Sequence, residues 1–249
     1  MAFAVDTTGH LPGTAGDTGS KTWTHVCGAS ANKLLVLIGM GTNTAGQRTI
    51  NTATYNGVTL GTPVATVNFG FVTFYIFCLD SPATGSHTVD ITSTAGNWGQ
   101  VAAYSISYND AAAGTVTSGS GQGTTAGPTT NATGIASGDH VVNVIVNDSA
   151  VNEQTHDSAG GATLIFKDDD IDGDTDMGAE YYVASGSSQT LLWNQTDSGS
   201  NWIIGWVAVR AAGGAGGQVN QRDGINLSGI SAINGITKSG ISAINGLTI

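Results

Sequence analysis

The densest run of chemistry in the chain is acidic: Asp168-Asp169-Asp170-Ile171-Asp172-Gly173-Asp174-Thr175-Asp176. Asp168, Asp170, Asp172 and Gly173 match the opening of a calcium loop, in which carboxylates on alternate residues converge on one hard cation and a glycine allows the sharp turn. The match then breaks down, because the twelfth position is Ala179 and the nearest glutamate, Glu180, falls one residue late. No helix-forming sequence flanks the run. Two readings follow: a calcium site between two strands, with Asp168, Asp170, Asp172 and Asp174 as ligands, or a solvated acidic hairpin tip that discourages edge pairing.

The remaining reactive side chains form no pattern. Five histidines (His10, His25, His87, His140 and His156) lack metal-ligand spacing and read as surface or strand-end residues. No nucleophile elbow, phosphate loop or dinucleotide fingerprint occurs, and the carboxylates Glu153, Asp157 and Glu180 are of the kind any acidic surface supplies. These features point away from an enzyme. Trp193, Trp202 and Trp206 could present rings to a sugar, but core packing or a subunit seam is the simpler account. Trp98, in Asn97-Trp98-Gly99 at an expected turn, is the better candidate for an exposed glycan platform.

The elements that must position these residues are short strands, β-branched or aromatic, bounded by Gly, Asn, Asp or Pro. Lys33–Met40, Phe71–Leu79, His87–Thr92, Val101–Tyr108, His140–Asn147, Gly178–Ala184, Gln189–Asn194 and Trp202–Ala211 are the clearest. Asn56-Gly57 carries a type I′ hairpin signal, since both residues tolerate positive φ. About eleven such strands predict an all-β protein, a β-sandwich or jelly roll. Leu34–Ile38 and Phe71–Phe77 are apolar on both faces, which expects central strands covered on both sides, or strands whose outer face meets a partner.

Residues 31–110 and 138–211 each open on an apolar strand and close on an aromatic one. Ala111–Ser137, rich in Gly, Thr and Ser, reads as a linker or as a long loop within one sandwich. The single sandwich is preferred. The expected organisation is a body over 1–212, a Gly-rich joint over 213–217 and a C-terminal arm over 218–249.

Composition bounds the partners. The chain has 249 residues, 37 of them glycine, only 10% charged, with a net charge of −11. So few cations, none clustered, argue against nucleic acid. No run has the length of a membrane span, and the N-terminus lacks the basic and apolar regions of an export signal. Cys27 and Cys78 are expected to be free thiols.

The arm is one eleven-residue unit written twice, SGISAINGITK at 228–238 and SGISAINGLTI at 239–249. Ile230, Ile233 and Ile236, then Ile241, Ile244 and Leu247, recur every third residue, neither the strand nor the helix period. Such units cannot bury their own aliphatics and must lean on a neighbour. One solution is a tight hairpin at each Asn-Gly pair, setting Ile233 opposite Ile236 and Ile244 opposite Leu247; the other is a Gly-kinked strand winding about a threefold axis.

This tail, following a Gly-rich joint, resembles C-terminal repeats on structural proteins of tailed bacteriophages. The body, with ANKLLVLIGMG, TATYNGVTLG, FYIFCLDSPATGSHTVDIT and WVAVRAA, is similar to β-sandwich modules of phage virion proteins. The resemblance implies a non-enzymatic virion component, displayed on or cementing a capsid or tail. Its partners would be other virion proteins and further copies of itself, in a trimer for instance. The alternative is a carbohydrate-binding or adhesin module that recognises host glycans; a degraded glycan hydrolase is a third reading. No cofactor is expected beyond the calcium considered above.

Overall fold

The computed structural model describes residues 3–14, 20–41, 49–93, 100–114, 116–125, 127–147, 154–156, 161–171, 175–195 and 201–212, together with six two-residue strands between 221 and 248. The chain divides into two units, Met1–Gly214 and Ala215–Ile249. It is all-β, with no helix among the described residues.

In the first unit the chain runs through β1 (Ala4–Thr14), β2 (Ser20–Cys27), β3 (Ala31–Gly41), β4 (Ile50–Tyr55), β5 (Val58–Thr59), β6 (Ala65–Phe69), β7 (Val72–Asp80), β8 (Gly85–Ser93) and β9 (Gln100–Asn109). It continues through β10 (Thr117–Gly123), β11 (Thr129–Thr133), β12 (His140–Asn147), β13 (Gln154–His156), β14 (Thr163–Ile171), β15 (Thr175–Val183), β16 (Ser188–Gln195) and β17 (Trp202–Val209). The sheet orders β1-β9-β3-β7-β6 and β2-β8-β4-β5 in the first half recur as β10-β17-β12-β15-β14 and β11-β16-β13 in the second. Each strand except β5 has a counterpart at the same place. The body is therefore two copies of one sandwich topology, which corrects the expectation of a single sandwich.

The halves stack through their five-stranded sheets. Alternation along the central strands makes this possible: Leu35 and Leu37 of β3 join Val142, Val144 and Val146 of β12 in the core between halves. Leu34, Val36 and Ile38 point the other way, into the first sandwich. Val141 and Ile145 do the same in the second. The doubly apolar strands are thus central and covered on both sides, the first of the two alternatives.

The stacking has approximate twofold symmetry. β6 packs on β10 and β17 while its counterpart β14 packs on β1 and β9, and β3 lies over β12. At the axis the ends of β9 and β17 cross as a short antiparallel ladder: Ala111 bridges Ala211, with Ala212 N donating to Asp110 O and Ala112 N to Arg210 O. This pairing is unchanged when equivalent residues of the two halves are exchanged. The interface is isologous, as in a twofold dimer, but both copies lie on one chain.

Two segments depart from the sequence reading. The Gly- and Thr-rich stretch after Ala111 contains β10 and β11. Glycine is required in β10 because Gly119 and Gly123 pair in register with Trp206 and Trp202. A Cβ would lie 2.6 Å from the Trp206 ring and 2.7 Å from that of Trp202. The low-complexity look is the complement of two indoles. The N-terminal strands β1 and β2 were also missed, β1 because it contains Gly9 and Pro12.

Candidate functional site

Along β2 burial alternates strictly, which turns Lys21, Trp23, His25 and Cys27 inward. Trp23 Nε1 donates to Ser105 Oγ at 2.9 Å, and Ser105 Oγ stands 2.9 Å from His25 Nδ1. On the other side of the ring, His25 Nε2 lies 3.3 Å from Thr7 Oγ1, whose hydroxyl donates to the Val26 carbonyl. Ser105 Oγ is also within reach of the Gly9 carbonyl at 3.3 Å, so its proton has two acceptors; the order that sends it to the imidazole runs Trp23 to Ser105, Ser105 to His25 Nδ1, His25 Nε2–H to Thr7, Thr7 to Val26. His25 is then neutral. Burial, partly opposed by Asp6, pulls its pKa down to about 4, consistent with that order.

A serine hydroxyl on an imidazole suggests a nucleophile and its base. The surroundings give it another role. Ser105 is fully buried and its oxygen is engaged by the indole. Asp6 does not orient His25; it accepts from Ser107 Oγ at 2.9 Å and from Gly28 N at 2.7 Å. The network joins β1, β2 and β9 at one edge of the first sandwich, where the two sheets meet.

The second sandwich replaces this with a different network. The cross-strand pair Val36 and Phe77 has as its counterpart Asn143 and Glu180. Asn143 Nδ2 donates to Glu180 Oε1 at 3.1 Å and Trp193 Nε1 donates to Asn143 Oδ1 at 2.6 Å. Glu180 is fully buried, which corrects its reading as a surface carboxylate. Glu153 and Asp157 lie outside the described residues.

Ion pairs tie the strand ends near the axis. Arg210 grips Asp139 with two bonds of 2.8 Å, and Asp139 also accepts from Ala136 N at 2.8 Å. These bonds hold the Arg210 guanidinium above its usual pKa. On the other half, buried Lys33 pairs with Asp80 and reaches Cys78 Sγ at 3.6 Å.

The sequence candidates are placed as follows. Trp193, Trp202 and Trp206 are core residues, at 0%, 4% and 4% exposure, and offer no ring to a ligand. Trp98 lies outside the described residues. The acidic run forms the end of the β14–β15 hairpin, where Asp168 pairs with Met177 and Ile171 with Thr175 across a register shift. The backbones of Asp168 and Asp170 are described without their side chains, and Asp172 and Asp174 lie outside, so no ligand geometry is defined. Among the described residues no cluster of three metal-ligating side chains occurs.

The histidines divide. His10 is exposed and stacks on Tyr104 with ring centres 5.2 Å apart, while His87 Nε2 meets Thr84 O at 2.9 Å. His25 is buried to 1% exposure, and His140 lies half-buried between the rings of Phe3 and Tyr181. His25 corrects the surface or strand-end reading, whereas His140, the first residue of β12, keeps the strand-end one. The signal for His25 was available in the alternation of Ser20–Cys27. Both cysteines are free thiols.

In the second unit the backbone takes the hairpin form. Strands β18 (Gln221–Arg222) and β19 (Ile225–Asn226), β20 (Ala232–Ile233) and β21 (Ile236–Thr237), and β22 (Ala243–Ile244) and β23 (Leu247–Thr248) make three two-stranded hairpins. Ile233 pairs with Ile236 and Ile244 with Leu247. The first hairpin, pairing Arg222 with Ile225, is a unit that sequence reasoning missed. Arg222, Asp223 and Asn226 stand where Ile, Asn and Thr stand later, but Gly224, Gly235 and Gly246 keep the eleven-residue step. Ile230 and Ile241 lie outside the described residues, and the other tail aliphatics are described in backbone only.

Comparison with protein-family models, with curated proteins and with solved structures finds no match for this chain.

Proposed function

We propose that this is a non-enzymatic structural protein, a tandem-sandwich body joined to an assembly by its C-terminal hairpins, as on the surface of a phage capsid or tail. The observation that carries the reading is the hairpin array: three copies of a two-pair hairpin at a constant eleven-residue step. A two-stranded hairpin is marginal in water by itself, so a chain that carries three in series fits one whose hairpins meet a partner. The body supports the reading from the other side, because the Ser105–His25 and Asn143–Glu180 pairs, the polar groups most suggestive of chemistry among the described side chains, are engaged within its core. The resemblance of the tail to repeats on phage structural proteins supplies the setting.

The test is deletion of residues 218–249 followed by sedimentation with particles that incorporate the full chain. The truncated protein is expected to remain in the supernatant; its retention on particles would sink the proposal.

A further inference from the structure

We infer that the partner of the hairpin array is the same array on further copies of this chain. This rests on the reading of the tail as an assembly element, and it names the occupant.

Three observations lead there. The hairpins form three separate sheets, so among the described residues no strand of one pairs with a strand of another, and each hairpin presents edges that can accept a further strand. The register is the same in all three: Gln221 with Asn226, Ala232 with Thr237, and Ala243 with Thr248. The step between units is constant at eleven residues. A partner that engages all three units together must match that step along its own length. A second copy does so by construction, whereas an unrelated surface would have to reproduce the spacing independently. Three weak contacts in series then act as one strong one, because each closes at the effective concentration set by its neighbour.

Charge permits the same occupant. From 217 to 249 the ionisable side chains are Arg222, Asp223 and Lys238, a net of +1, which leaves −12 of the total −11 on the remainder. Acidic bodies repel one another, while nearly neutral tails can approach closely.

The experiment is light scattering on the full chain, on the chain lacking 218–249, and on two internal deletions. Removing residues 228–238 takes out one whole unit and keeps the step; removing 228–231 shortens one step and leaves every paired hairpin residue in place. The full chain and both internal deletions are expected to self-associate, since each matches its own step. An affinity-tagged full chain is expected to capture the whole-unit deletion and not the 228–231 deletion, while the 218–249 truncation is expected to lose the oligomer, with an unchanged body spectrum in circular dichroism. A full chain that stays monomeric at its highest soluble concentration overturns the inference. So does a 228–231 deletion that the tagged full chain captures as well as the whole-unit deletion. If the full chain is monomeric while the truncation still leaves particles, the partner is a different protein: the function proposed above stands and this inference falls.

Discussion

Phe74, on the central sheet of the first sandwich, fills the space before Gly205 on the central sheet of the second, where an added Cβ would come within 1.8 Å of its ring. The two residues lock the halves together. Gly205→Ala should therefore act as overpacking, destabilising the body by about 3 kcal/mol, which lowers Tm by roughly 6–12 °C in a domain of this size. Thermal denaturation checks it. Phe74→Leu introduced with Gly205→Ala should restore part of the loss, and strict additivity of the two changes would argue against direct contact.

Arg210 and Asp139 stand at the twofold axis, and the carboxylate is the buried partner, at 3% exposure against 36% for the guanidinium. Arg210→Ala leaves that carboxylate with Ala136 N as its one remaining donor among the described residues. The expected loss is about 2 kcal/mol, the range for hydrogen bonds to a charged group. Urea midpoints read it, with Arg210→Lys, a single point donor in place of a fork, expected between the two.

Stability should fall on the acid side through His25. Its pKa is about 4 in the fold, against 6.5 for the free side chain. Between those values the unfolded chain binds more protons, so stability rises with pH there. The contribution is complete above pH 6.5, declines as pH drops toward 4 and amounts to about 3 kcal/mol in full. His140, lowered by burial against the opposing pull of Asp139, adds in the same direction. Urea midpoints at several pH values should show the decline, and His25→Asn should flatten it; an equally steep variant would exclude His25 as the cause.

Both thiols should be slow. Burial raises the pKa of Cys27 and of Cys78, the latter against the opposing effect of Lys33, so little thiolate is present near neutrality. A colorimetric disulfide reagent is expected to react with the native chain far more slowly than with the urea-unfolded chain, where both react at once. Rapid labelling of Cys27 in native protein would contradict its 1% exposure.

Much of the fold was legible in local pattern. Alternation and β-branching marked most strands of the body, and Asn56-Gly57 marked its hairpin, where both residues have positive φ. The double apolar faces of Leu34–Ile38 marked a strand covered on both sides or one whose outer face meets a partner, and the stacked halves decide for the first. These are properties of one segment, set by side-chain period and backbone sterics.

The sequence by itself determined the all-β class, the order of most strands and the repetition in the tail. Only the tertiary structure decided that the body is two sandwiches, that Gly119 and Gly123 are a strand seated on tryptophans, and that His25 and Glu180 are interior. Each of those depends on which residues distant in the chain come to face one another. Glycine beside an indole looks like a loop until the indole is in place, and a carboxylate looks like surface until a strand covers it.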